Sequence, residues 1–115
     1  MSINEIRKEY MLKDIQADAS GWPETIIIGS TENYTSHAGA REHALYLQAL
    51  QQYKQPTLFW HYTIDDTYVF QHLPLSKRVE IKICAGPKIN RALAIEKTAA
   101  LVGILIQKFD IETEN

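Results

Sequence analysis

From Arg78 to Cys84 the chain reads RVEIKIC, with Val79, Ile81 and Ile83 at alternate positions and Glu80 and Lys82 between them. A side-chain period of two with one apolar set belongs to a β-strand that has one face on a core and the other in a wetter space. Ala85-Gly86-Pro87 closes that strand, and the pattern from about Lys88 to Phe109 is helical. A strand followed at once by a helix long enough to cover it restricts the chain to layered α/β architectures.

The remaining segments fit that frame. Thr25-Ile26-Ile27-Ile28 is a continuous β-branched run, which predicts a strand buried on both faces. A helix is predicted from His37 to Tyr53, with Ala40, Ala44, Leu47 and Leu50 as its apolar stripe and Tyr46 beside it. Thr35 or Ser36 would cap it, and Pro56 would stop it. Leu58 to Thr63 and Thr67 to Gln71 flank the turn-forming pair Asp65-Asp66 and read as a hairpin. Ile3, Ile6 and Tyr10 fall at helical spacing among charges, predicting a short amphipathic helix to about Asp18 within a helical segment at residues 1–20. Ser20-Gly21-Trp22-Pro23 breaks the chain before the core. The expected order is helix, strand, helix, hairpin, strand, helix. It describes one domain over residues 1–115, a small mixed sheet flanked by helices.

Composition narrows the function classes. A length of 115 residues accommodates one domain. With 12 basic and 14 acidic side chains the formal charge is −2, so no broad basic face is expected and a nucleic-acid partner is disfavoured. The apolar run Ala99 to Ile106 is too short to span a membrane. The amino terminus lacks the pattern of a secretory signal, and Cys84 is the single cysteine, so a reduced, cytoplasmic setting is expected. Cys84 itself reads as a buried structural thiol.

Few constellations in the chain carry chemistry. His37 and His43 are not on one helical face, and His61 sits between Trp60 and Tyr62, so no metal site and no cofactor are expected from spacing. Asp65 or Asp66 followed by Glu80-Ile81-Lys82 has the order of a magnesium-dependent nuclease, in which two carboxylates hold the metal and a lysine steadies hydroxide. The aspartates are equally explained by the turn and the Glu–Lys alternation by a wet strand face.

The segment Trp60 to Leu75, WHYTIDDTYVFQHLPL, closely resembles the core of the phage and Bacillus-type N-acetylmuramoyl-L-alanine amidases. In that zinc-dependent family a tryptophan-histidine-aromatic strand precedes a double-aspartate turn and a strand ending in leucine-proline-leucine. HAGAREHALYLQ, from His37 to Gln48, is similar to the family's first long helix, and IKIC, Ile81 to Cys84, to its isoleucine-glutamate-isoleucine-cysteine strand. The resemblance covers about Thr25 to Ile111. It implies an amidase-like but truncated α/β core.

Set against the family pattern, Gly29 stands where the first strand carries a zinc-binding histidine, and Lys82 stands where the family has the glutamate that activates water. The family's other two zinc ligands follow the last helix, and its tryptophan-histidine-alanine-glycine-aspartate loop is replaced by Ser76-Lys77-Arg78. A catalytic zinc needs three protein ligands and an open position. The resemblance therefore implies a catalytically inactive, zinc-free binding protein, its ligand near Gly29, Thr31, Trp60, His61 and Lys82. A cation at Lys82 suggests a small anionic ligand, nucleotide-like among the candidates. In that reading the chain is a phage-derived protein that sequesters a host immune signal. Two alternatives are a protein–protein module acting on a host protein, homo-oligomeric through its first or last helix, and an enzyme, either a residual amidase or the nuclease.

Overall fold

The computed structural model describes residues 5–13, 22–53 and 59–112. Ile6–Arg7 forms β1, Thr25–Ser30 β2, Ala40–Leu50 α1 with a 3₁₀ turn at Gln51–Tyr53, Tyr62–Ile64 β3, Val69–Gln71 β4, Arg78–Ile83 β5 and Arg91–Phe109 α2. The five strands make one mixed sheet in the order β1-β4-β3-β5-β2. β3 and β4 are the antiparallel hairpin, while β2, β5 and β3 run parallel, so their carboxyl ends share one edge.

Alternation sorts the side chains to two faces. Tyr62 pairs with Ile81 and Ile64 with Ile83, and this face, with Val69 and Val79, buries itself against Leu101 and Leu105 of α2. Burying each leucine contributes roughly 1.5–3 kcal/mol, so this layer dominates the core. The opposite face carries Thr63, Phe70 and Lys82. There α1 lays Ala40 and Ala44 on Phe70 and Cys84, and Leu47 on Phe59 and Leu73. α1 packs on β3 and β4. Over β5 and β2 the same face stays accessible, with Glu80 and Lys82 half-buried and Gly29 exposed.

The double aspartate holds the layers together. Asp65 Oδ1 accepts from the N–H groups of Thr67 and Tyr68, closing the hairpin, and Oδ2 accepts from the N–H of Ala40 at 2.9 Å. Gly39, which has no side chain to cap α1, is thus served by a carboxylate from another element. Asp66 Oδ2 accepts from the N–H of Asn90, whose own side chain caps α2 through Leu93. The cap expected from Thr35 or Ser36 is therefore supplied at long range.

Two local expectations are corrected. Residues 6–13 are not helical: Ile6 and Arg7 pair parallel with Val69 and Phe70 on β4. Ile6 packs against the α2-side core and Tyr10 stacks against Phe70, so two residues at helical spacing serve two different layers. Ile3 and residues 14–20, where the rest of that helix was expected, lie outside the described residues. The run Thr25 to Ile28 is an edge strand and is not buried on both faces; Ile28 is 51% exposed. Among the described residues no helix is long and apolar enough to cross a membrane.

Candidate functional site

The sheet register places Gly29, Lys82 and Thr63 in one row across β2, β5 and β3. Directly opposed residues share a face; Thr63 is fully buried at one end of the row, and Lys82 and Gly29 form part of the floor that α1 leaves open. A Cβ built at Gly29 would meet nothing within 4 Å. At the other end of the row, Trp60 rises just ahead of β3. The Lys82 ammonium lies 4.4 Å from the centroid of its ring, a cation–π contact.

The Trp60 ring is fixed from below. Its indole N–H donates to Thr63 Oγ1 at 2.7 Å, and that oxygen lies 2.6 Å from His72 Nε2. The His72 ring meets the indole edge-on, and His43 flanks it on a second side. His72 is fully buried, and burial, helped by the neighbouring His43 and His61, pushes its pKa down to about 3. The ring is therefore neutral at neutral pH. Either tautomer leaves Nδ1 without a hydrogen-bond partner, an unpaired polar atom under the site.

His61 takes a different role from the one expected. Its Nδ1 accepts from the Glu80 N–H at 3.0 Å, which puts the ring proton on Nε2, and Nε2 then donates to Ser76 Oγ. The serine passes its own proton toward the Arg78 carbonyl. Burial lowers the His61 pKa, partly opposed by Glu80. Both ring nitrogens thus brace the short connection into β5. Thr31 starts the loop after β2, where its hydroxyl accepts from the Asn33 N–H. Of the expected residues, Trp60 and Lys82 meet, Gly29 shares their row, Thr31 lies at the strand end, and His61 belongs to the scaffold. Thr63 and His72 were missed. The only sequence signal for them is that both sit on the Lys82 face of the hairpin.

Two catalytic arrangements are excluded by bonding. Asp65 and Asp66 are turned to backbone N–H groups of the hairpin and both helices, away from Glu80, so the nuclease carboxylate pair does not assemble. Cys84 lies 3.9 Å from His43 Nδ1, but that nitrogen donates to the Gly39 carbonyl at 2.7 Å. Burial, then Asp65, Glu42 and Asp66, push the thiol up to about 12, so it is no nucleophile. Among the described residues no group of three histidine, cysteine, aspartate or glutamate side chains is placed to hold a metal ion. The row that faces the site carries an ammonium where a bound cation needs acceptors, so these residues do not fit a zinc ion.

The sequence and the fold have counterparts among known proteins. The chain is 30% identical over 110 residues to the N-acetylmuramoyl-L-alanine amidase XlyA of Bacillus subtilis (strain 168), a match that covers 81% of this chain and 35% of that protein. A mutant endolysin from Bacillus subtilis superimposes with a TM-score of 0.75 at 25% identity, over 93% of this chain and 78% of the endolysin. In sequence and fold the chain is similar to the N-acetylmuramoyl-L-alanine amidases. The catalytic domain of XlyA matches with a TM-score of 0.70 at 24% identity, again over 93% of this chain and 78% of that domain. No family model matches the sequence. These relatives overturn the expectation of an inactive, ligand-sequestering protein, because the proteins this chain is similar to are amidases and endolysins. The chain spans about a third of the curated relative's length.

Proposed function

We propose that this chain is the amidase-fold domain of a peptidoglycan-cleaving protein, directed at the amide between N-acetylmuramic acid and L-alanine. The observation that carries the reading is the match to an amidase catalytic domain over nearly the whole chain. The accessible floor at Gly29 and Lys82, beside the carboxyl ends of the parallel strands, gives that fold a place to receive a glycan strand and its stem peptide. Ligands in open α/β sheets characteristically sit outside the carboxyl ends of the strands. Trp60, held rigid by Thr63 and His72, supplies an aromatic wall of the kind that packs on sugar rings and methyl groups.

The test is digestion of purified Bacillus sacculi by the chain, in buffer alone and with added zinc, followed by mass spectrometry of the soluble fraction. The expected products are free stem peptides that begin with L-alanine, together with unbroken glycan. Sacculi left intact in both buffers, while XlyA solubilises them in parallel, would overturn the reading.

A further inference from the structure

Lys82 is a half-buried ammonium without a carboxylate partner among the described residues. Among the described residues the ion pairs are Arg7 with Glu9 and Arg78 with Glu80, so the nearest acid on its own strand face is directed to Arg78. What holds Lys82 is Trp60 at 4.4 Å. An aromatic face attracts a cation without neutralising it, and it meets one side of the ammonium only. The remaining N–H donors face the space beside the row.

Three further features make this a built feature of the fold. The Trp60 ring is anchored through its indole N–H to Thr63 and through Thr63 to a fully buried histidine, so the wall beneath the cation does not swing away. Lys82 belongs to the middle strand of the parallel trio, which fixes its backbone on both sides. Across the row, the side-chain space at Gly29 is empty to 4 Å, which leaves room for a ligand group next to the ammonium.

We propose that Lys82, seated on Trp60 beside the Gly29 gap, receives a carboxylate of the peptidoglycan stem peptide and so sets a preference for acidic over amidated stems. The inference rests on the peptidoglycan reading above, since stem carboxylates are anionic groups that such a substrate brings to the site. A partly desolvated ammonium attracts a carboxylate more strongly than an exposed one, and the hydrogen bond formed is charge-assisted.

The test is calorimetric titration of the whole chain with N-acetylmuramoyl-L-alanyl-γ-D-glutamyl-L-lysinamide, whose one free carboxylate is the glutamate α-carboxyl that amidated stems lack, and with its methyl ester, which is neutral at that position as an amidated stem is. The acid should bind roughly tenfold more tightly than the ester, the usual scale for one charge-assisted contact. Lys82→Met should erase the difference and Lys82→Arg should retain most of it, with melting curves confirming that both variants fold. Equal binding of acid and ester by the parent, no binding of either, or an acid preference that survives in folded Lys82→Met each overturn the proposal. The acid–ester comparison on the parent decides the matter even if a variant does not fold. Acid-selective binding without cleavage of sacculi would sink the amidase reading alone, and cleavage without acid preference would sink this inference alone.

Discussion

His72 offers a sharp test of how the site is supported. Its pKa falls from the ordinary 6.5 to about 3 because the ring is buried, with His43 and His61 adding to the effect. Between those two values the unfolded chain holds a proton that the native chain does not. Stability therefore rises with pH through this window, and it falls as pH drops from 6.5 toward 3. The slope approaches about 1.4 kcal/mol per pH unit once the unfolded ring is charged, so lowering the pH by about two units from there removes on the order of 2 kcal/mol through this group. His72→Leu removes the titrating ring. It should lower stability at neutral pH, because the Thr63 hydroxyl loses its neighbour, yet it should flatten the acid dependence. Urea unfolding of parent and variant at several pH values between about 7 and about 4.5 measures both slopes. His61, also lowered by burial, titrates in both proteins and drops out of the difference. Parallel stability–pH curves for parent and variant would refute the account of a neutral, buried His72 under Trp60.

Other consequences follow from the scaffold. Asp65→Ala strips the acceptor from the N–H groups of Ala40, Thr67 and Tyr68 and should cost about 2–4 kcal/mol in chemical denaturation, with Asp65→Asn costing less. Gly39→Ala would place a Cβ 2.9 Å from Asp65 Oδ2 and from Glu42 Oε2, and should destabilise by about 1–2 kcal/mol. Gly29→Ala, with nothing within 4 Å, should leave stability unchanged or raise it by up to about 1 kcal/mol; thermal melts of the two variants should therefore move apart. The Cys84 thiol, buried and raised to about 12, should resist iodoacetamide at mildly alkaline pH in the folded chain and react readily in urea, as mass spectrometry of the adduct would show.

Much of the fold was legible because it rests on local periodicity. The alternation of Val79, Ile81 and Ile83 fixed which face of β5 meets α2, and the Asp65-Asp66 turn marked the hairpin. What escaped was decided at long range. Ile6 and Tyr10 share helical spacing, yet their partners Val69 and Phe70 lie far along the chain, and no local pattern encodes that pairing. Three consecutive isoleucines read the same whether a strand is central or at an edge, and the position of β2 was settled by the order of the sheet. The same limit applies to the site. Trp60 and Lys82 were identifiable through family resemblance, whereas the use of His61 as a brace depends on Ser76 and the Glu80 backbone arriving beside it. The inference of inactivity leaned on individual positions, and the match of most of the chain to amidases and endolysins overturned it.

The central claim, that peptidoglycan engages the Trp60–Lys82 face of the sheet, is tested most directly by chemical-shift mapping of the nitrogen-15-labelled chain with a soluble disaccharide-tripeptide muropeptide. The chain has two tryptophans, so two indole N–H signals report on two regions. Trp60 stands beside Lys82, whereas Trp22 is 57% exposed and packs edge-on against Phe109. The account predicts that the Trp60 indole and the backbone signals of Gly29, Thr31 and Lys82 move on titration while the Trp22 indole stays in place. Shifts confined to the groove between β2 and α2, lined by Ile26, Ile28, Val102 and Ile106, with Trp60 unmoved, would contradict it.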